Sequence, residues 1–226
     1  MSAAEQPSGD GGEGLPQLPP GRHGLPREYV TQNQRDRLTA GIIAAVAEHG
    51  FHETSISQIA AAAGVSRRTF YSYYGSKQEC FTAAYEAVAD YLLAAMAERG
   101  AAEEEWPPRV RAELAALLET LAANPDLVRF CLIAPPAAGG ELAPLYEGLL
   151  TRLGEQLTAG MPGPPQTRQL GEVAERSLLG GLVGLLVAKV NAGEGERLDE
   201  LLPDLHELVL SAYLGREQAV REARRP

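Results

Sequence analysis

Residues 55–77, SISQIAAAAGVSRRTFYSYYGSK, decide the fold of the chain, and they have the pattern of two short helices joined by a tight turn. Ser55 and Gln58 have the spacing of a capping box, in which each side chain bonds the backbone amide of the other residue. A helix is therefore predicted to begin directly after Ser55. Gly64 is predicted to end this helix, because glycine adopts positive φ without steric cost.

A second helix is predicted over about residues 67–74, with Ser66 as its N-cap. The spacing of Ala60, Gly64 and Phe70 resembles a helix-turn-helix. In this motif a small residue lets the helices approach, a glycine allows the turn, and a bulky apolar residue locks the second helix against the first.

The second helix would present a row of hydrogen-bond donors and aromatic rings: Arg67, Arg68, Thr69, Tyr71, Ser72 and Tyr73. Such groups can donate to phosphate oxygens and to base edges in a major groove. An ordinary helical hairpin on a protein surface has the same pattern, so this stretch alone leaves both interpretations open.

The composition of the 226 residues favours an all-α fold. Hydrophobic residues make up 45% of the chain, alanine and leucine dominate them, and runs of β-branched residues are few. The net charge of −10 argues against a protein that coats nucleic acid non-specifically. The charge is uneven, however, because residues 21–80 carry seven basic and five acidic side chains. A mildly basic segment on an acidic remainder suits a protein that touches DNA at one end.

Other features of the sequence argue against a membrane protein, a metal-binding protein and an enzyme. Cys80 and Cys131 lie far apart in apolar patterns and are predicted to be buried, reduced thiols. The first residues lack the basic start and apolar core of a secretory signal, and no apolar run reaches the length of a membrane span. A soluble cytoplasmic protein is therefore predicted. Since no metal-ligand spacing, phosphate-binding loop or catalytic motif is present, we expect no metal, no cofactor and no enzymatic activity.

Long helices are predicted on both sides of the two short ones. Residues 31–34 have capping-box spacing and open the first, which ends near His49, while Ser76 and Glu79 open the second. Lys77 falls in the first turn of the second long helix, where the helix dipole disfavours positive charge. A bound phosphate would resolve this conflict, so contact between Lys77 and the DNA backbone is predicted, with an exposed, unliganded lysine as the alternative.

Residues 54–81, TSISQIAAAAGVSRRTFYSYYGSKQECF, resemble the DNA-binding head of the TetR family of bacterial transcriptional regulators, and the resemblance covers roughly residues 31–90. The positions that match the family pattern are Thr54, Ile59, Ala60, Ala63, Gly64, Val65, Ser66, Thr69, Tyr71, Tyr73 and Lys77. Tyr74 and Gly75 depart from the pattern. Arg68 also departs, because many members have glycine there, and this makes the preferred operator unpredictable.

The resemblance implies an all-α protein of about nine helices, in which a three-helix head with the helix-turn-helix precedes a larger helical body for effector binding and dimerisation. The expected units are a disordered tail (1–27), the head (28–75), the body (76–215) and a flexible C-terminal tail (216–226). A homodimer would bind a palindromic operator on double-stranded DNA and be released, as a repressor, by a small-molecule effector. The alternative is a helical small-molecule-binding protein without operator binding.

The resemblance also assigns the DNA contacts. Base or phosphate contacts are expected from four residues of the second helix and its end: Arg67, Arg68, Thr69 and Tyr73. Phosphate contacts are expected from Tyr71 and Lys77. Residues near the two helix N-termini complete the predicted interface: Thr54, Ser57 and Ser66.

The body is expected to pair with its copy through the last two long helices, predicted over about residues 168–191 and 198–214. The first is apolar on nearly every side and contains Gly180, Gly181 and Gly184. Each glycine lowers helix propensity by roughly 1 kcal/mol against alanine, so a closely packed neighbour is required. A core helix within one chain is the alternative.

An effector site is predicted among aromatic and apolar residues of the body. The candidates are Tyr85, Met96, Trp106, Phe130 and Tyr146. Core packing is the alternative for each of them. Because no charged cluster indicates an ionic effector, an apolar or aromatic effector of unknown identity is expected.

Overall fold

The computed structural model describes residues 27–164, residue 167 and residues 169–223, except for the side chains of residues 27–31 and 223. This part of the chain is helical and contains no β-strand, so the all-α prediction is confirmed. The tail predicted before Arg27 lies outside the described residues.

Three helices build the head, and a fourth connects it to the body: α1 (Arg27–His49), α2 (Ile56–Ala62), α3 (Arg67–Tyr71) and α4 (Lys77–Gly100). Four side chains with no exposed surface form the core of the head: Leu38, Ile42, Ile59 and Phe70. The long helix α4 packs against α1 and then continues into the body, so the two parts share one helix.

The body contains α4 and the helices that follow it: α5 (Trp106–Ala123), α6 (Asp126–Val128), α7 (Ala134–Ala138), α8 (Ala143–Thr158), α9 (Glu172–Asn191), α10 (Leu202–Leu214) and α11 (Arg216–Ala223). A π-helical segment (Arg129–Ile133) joins α6 to α7, and 3-10 segments (Gly140–Leu142 and Gly195–Leu201) precede α8 and α10. Helix α5 packs along α4 and against α10, while α8 packs against α4 and α9. No described helix is both long and apolar enough to cross a membrane.

The start of α1 and the end of α3 differ from the boundaries predicted from the sequence. Helix α1 begins at Arg27, so Thr31 and the capping box expected there lie inside the helix. Helix α3 ends at Tyr71, three residues before the predicted end. Its C-cap Ser72 donates its hydroxyl to the Arg68 carbonyl at 3.0 Å, and such local bonds compete with helix continuation.

Two segments of the body predicted to be irregular are helical. The run of proline and glycine at residues 134–140, APPAAGG, predicts a loop. It contains α7 instead, because both prolines fall in the first turn, where no amide donor is needed. The flexible tail expected from residue 216 contains α11, which packs against α10 and buries Ala219 completely. Helix α9 also begins later than predicted, at Glu172.

Candidate nucleic-acid interface

Local hydrogen bonds form the helix-turn-helix as the sequence predicts. The Gln58 amide donates to Ser55 Oγ at 3.3 Å and the Ser55 amide donates to Gln58 Oε1 at 2.7 Å, which confirms the capping box of α2. Gly64 has a φ of +60°, a conformation that favours glycine. The Thr69 amide donates to Ser66 Oγ at 3.0 Å, so Ser66 caps α3.

A second glycine, on α1, sets how closely the head packs. A Cβ at Gly41 would lie 2.8 Å from both the Ala63 Cβ and the Ile59 carbonyl oxygen of α2. The sequence pattern singles out Ala60 as the small residue between the two helices of the motif, but it does not single out Gly41 between α1 and α2. The position of Gly41 could have indicated this close contact, because Gly41 adjoins buried Ile42 within the apolar stripe of α1.

The surface of α3 carries two free cations. Arg67 and Arg68 are exposed, and neither forms an ion pair with another described residue. Tyr71, on the same helix, keeps 51% of its surface exposed. Three hydroxyl-bearing residues lie on or near the helix starts, Ser57 and Ser66 exposed and Thr69 half-buried. This surface therefore offers charged, aromatic and hydroxyl groups to a ligand outside the protein.

Lys77 is used differently from the prediction. Its Nζ donates to three carbonyl oxygens of the loop between α1 and α2, those of Phe51 (2.6 Å), His52 (3.2 Å) and Thr54 (2.7 Å). The same nitrogen lies 4.4 Å from the centre of the Phe51 ring. An ammonium group has three N–H donors, so this set of acceptors occupies all of them. Partial burial lowers the pKa of Lys77, and its ammonium group is bonded to the loop between α1 and α2.

Two other predicted contact residues also point into the head. Thr54 is 2% exposed, and its hydroxyl lies 2.7 Å from the Gly50 carbonyl oxygen and 3.1 Å from that of Ala45. The Tyr73 hydroxyl donates to Gln34 Oε1 on α1 at 2.7 Å. These side chains hold the ends of α1 to neighbouring segments, because their polar atoms are already bonded within the protein.

Arg37, which matches no motif in the sequence, contacts the turn of the helix-turn-helix. Arg37 lies on α1 with 9% of its surface exposed, and its Nη2 donates to the Gly64 carbonyl oxygen at 2.5 Å. The partners are 27 positions apart, so no local pattern predicts their contact.

The body contains an apolar cavity of about 30 Å³ between α4, α5, the π-helical segment, α8 and α9. Its walls carry no exposed polar surface, and Met96 is the only one of the five predicted effector residues that lines it. Ligand pockets usually measure roughly 300–1,000 Å³, so the walls have to separate before an effector fits.

The other four effector candidates lie elsewhere. Phe130 packs against the Phe81 ring at 4.6 Å between centres, and the Tyr85 hydroxyl donates to the Cys131 carbonyl oxygen at 3.1 Å. Trp106 donates its indole N–H to the Leu157 carbonyl oxygen at 2.9 Å. Tyr146 is half-buried on α8 and does not line the cavity. The five residues therefore do not form one site.

Two ionisable side chains are buried in the body near α5. Glu113 is 1% exposed; its Oε1 accepts from Gln156 Nε2 at 2.8 Å, and its Oε2 has no partner among the described residues. Burial raises the pKa of Glu113, outweighing the bond from Gln156 and the charge of Arg109. His206 is 2% exposed with Nε2 2.9 Å from the Pro107 carbonyl oxygen, and burial lowers its pKa.

Residues 38–84 match the family model of the bacterial regulatory proteins, tetR family. This match covers the helix-turn-helix, the core residues of the head and the start of α4. No curated protein matches the chain in sequence.

Several solved structures share the fold over about four fifths of the chain. The fatty acid degradation regulator FadR from Bacillus halodurans is 22% identical, with a TM-score of 0.69 over 77% of this chain and 97% of that one. FadR from Bacillus subtilis, in complex with stearoyl-CoA, is 20% identical, with a TM-score of 0.67 over 78% and 98%. SmeT, the repressor of the Stenotrophomonas maltophilia multidrug efflux pump SmeDEF, is 21% identical, with a TM-score of 0.62 over 81% and 92%. At these identities, the likeness establishes a common fold.

Proposed function

Because the chain belongs to the TetR family of bacterial regulatory proteins, we propose that it is a repressor that binds a palindromic operator through α2 and α3. Members of this family are DNA-binding transcriptional regulators and not enzymes, and this chain is such a regulator. One observation carries the proposal. Arg67 and Arg68 are exposed and form no ion pair with another described residue, and they lie on a short helix whose start is fixed by the Ser66 cap.

The proposed DNA-contacting set is narrower than the set predicted from the sequence. It comprises the residues of α2 and α3 whose polar groups face outward or lie at a helix start: Ser57, Ser66, Arg67, Arg68, Thr69 and Tyr71. Thr54, Tyr73 and Lys77 support this surface from within the head, since their polar atoms bond other parts of it. The proposed division of the chain remains a head over residues 28–75 and a body from residue 76.

Selection of bound duplexes from random DNA tests the proposal. We expect a palindrome with half-sites one or more helical turns apart. Replacing Arg67 and Arg68 together by alanine should weaken operator binding at least about hundredfold and leave the unfolding temperature unchanged. Arg99→Ala with Arg152→Ala removes two exposed cations from the body and serves as the control. Full operator affinity in the Arg67/Arg68 variant would contradict the proposal.

We propose a homodimer that pairs through α9 and α10. A methyl group added at Gly180, Gly181 or Gly184 would meet no atom within 4 Å in the protomer. The close packing that these glycines require is therefore not supplied by the described part of the same chain. Leu185 of α9 and Leu208 of α10 are also exposed, by 42% and 39%. A second copy packed on both helices would cover this face.

We propose that the effector carries an extended apolar part that enters the cavity lined by Met96. Support comes from the wholly apolar lining and from the neighbouring FadR structure, which holds stearoyl-CoA. Stearoyl-CoA and coenzyme A are each added to the operator complex, and the release of DNA is measured. The comparison separates the contribution of the fatty acyl group from that of the nucleotide part. Release by stearoyl-CoA alone would support the proposal, and equal release by coenzyme A would contradict it.

A further inference from the structure

Arg37 is a buried cation without a carboxylate partner. No described acidic residue forms an ion pair with it, whereas the exposed Arg99 pairs with Glu119 at 2.6 Å. Burying a charge is costly unless hydrogen bonds compensate it. Its guanidinium donates a hydrogen bond to a backbone carbonyl, that of Gly64, at 2.5 Å. This arrangement makes the Gly64 peptide the main polar partner of Arg37.

The Gly64 peptide lies in the turn between α2 and α3. The Gly64 amide donates to the Ala61 carbonyl and the Val65 amide donates to the Ala60 carbonyl, so these amides close the end of α2. Only Val65 separates this peptide from Ser66, the N-cap of α3. A group that fixes the Gly64 carbonyl therefore fixes the direction in which α3 begins.

Helix α1, which carries Arg37, is held by the body as well as by the head. It packs against α4, α6 and the π-helical segment. The bond from Arg37 thus ties the turn before α3 to a helix whose position depends on the body. A charged donor suits this role, because hydrogen bonds with an ionised partner are stronger and more directional than neutral ones.

We propose that Arg37 is a positioning residue for operator recognition, which sets the approach of α3 to the DNA through the Gly64 carbonyl and does not itself touch the DNA. This inference rests on the proposed DNA-binding function. It predicts that Arg37 variants lose affinity for the operator and keep their affinity for non-specific DNA. Specific binding needs the correct position of α3, whereas non-specific binding depends mainly on the number of cations near phosphates.

The test compares Arg37→Met, Arg37→Lys and the control Arg99→Met, in the full-length chain, on the selected operator and on a scrambled duplex. We expect Arg37→Met to weaken operator binding about ten- to hundredfold, in line with the loss of a hydrogen bond to a charged group. Binding to the scrambled duplex and the dependence of log K on log salt should stay unchanged. Arg37→Lys, which keeps a charged donor, should recover part of the affinity.

A second measurement does not need DNA. Hydrogen exchange of the amides of residues 64–70 should become faster in Arg37→Met while the amides of α5 keep their protection. Unchanged operator affinity in Arg37→Met would overturn the inference. So would an equal loss on both duplexes with a salt slope lower by about one, because that pattern marks a phosphate contact. Absence of duplex binding in the unaltered protein would instead remove the proposed function, and with it this role.

Discussion

In the head, side chains bond backbone carbonyls across loops, whereas the body is packed mostly by leucines along long helices. Lys77 and Arg37 each bond a turn more than 20 positions away, and both turns lead into a helix of the motif. In the body, the cavity walls are leucines with few other side chains and carry no exposed polar surface. Long-range bonds from charged side chains thus fix the turns of the head, whereas the body combines leucine packing with bonds from neutral side chains, such as that of Trp106 to the Leu157 carbonyl oxygen.

This difference explains what each part can tolerate. A carbonyl bonded by a charged side chain accepts few replacements, since the geometry of the donor is fixed. Apolar cores accept many substitutions that keep the total volume. The comparisons agree with this contrast. The family model matches residues 38–84, whereas the similarity of the rest of the chain to solved structures is a similarity of fold at low sequence identity. The family match thus falls on the part of the chain whose turns are held by directional contacts.

The largest effect is expected from Gly184→Arg, which alters the body and leaves every residue of the head in place. An arginine there would prevent a second copy from packing on α9. Because two linked heads gain roughly 10²–10⁴ in avidity over one, operator affinity should fall at least about hundredfold. Sedimentation equilibrium and operator titration measure the two consequences.

Gly148→Arg on α8 is the matched control for that variant. Gly148 is also an exposed helical glycine with no atom near its added Cβ. The control should remain dimeric and bind the operator with unchanged affinity. A dimeric Gly184→Arg protein with full operator affinity would show that α9 does not form the interface.

A smaller effect is expected from Lys77→Met, which disturbs the head and spares the body. The variant leaves the carbonyls of Phe51, His52 and Thr54 without their charged donor, at a local cost of about 2 kcal/mol. Hydrogen exchange of the amides of residues 51–56 should accelerate, while the amides of α5 should not. Arg99→Met, which breaks an exposed pair with Glu119, should cost less than about 1 kcal/mol. Equal acceleration in both parts would mean that the head and body unfold as one unit.

The same contrast explains how much of the structure could be predicted from the sequence. The caps at Ser55 and Ser66 and the turn at Gly64 were predicted correctly, because their partners lie within a few residues. The contacts of Arg37 and Lys77 depend on which carbonyl a neighbouring helix brings within reach, and no local spacing contains that information.

The pattern that indicates the effector candidates is less specific than the capping and turn patterns. Apolar residues at helical spacing fill a core and line a cavity with the same pattern. Only the packing of several helices decides which role each takes. Met96 lines the cavity while Phe130 packs in the adjacent aromatic cluster, although both are fully buried.

The smallest effect is expected from Glu113→Gln, which tests a buried carboxylate of the body whose Oε2 has no partner among the described residues. Since burial raises the pKa of Glu113, the folded protein binds this proton more tightly than the unfolded chain does. The free energy of unfolding therefore falls as pH rises from below the usual value of 4.5 through the raised pKa, and stays reduced at neutral pH. Glutamine cannot ionise and keeps an oxygen for Gln156 Nε2, so the variant should gain about 1 kcal/mol at pH 7.

Urea unfolding of both proteins at pH 7 and pH 4.5 measures this gain, which should shrink at the lower pH because the raised pKa of Glu113 favours its protonated form in the folded protein as the pH falls. Glu119→Gln, at an exposed position paired with Arg99, should show no comparable gain. A less stable Glu113→Gln variant at pH 7 would mean that the ionised carboxylate is stabilised by the charge of Arg109. In that case directional polar contacts would hold the body at α5 much as they hold the turns of the head.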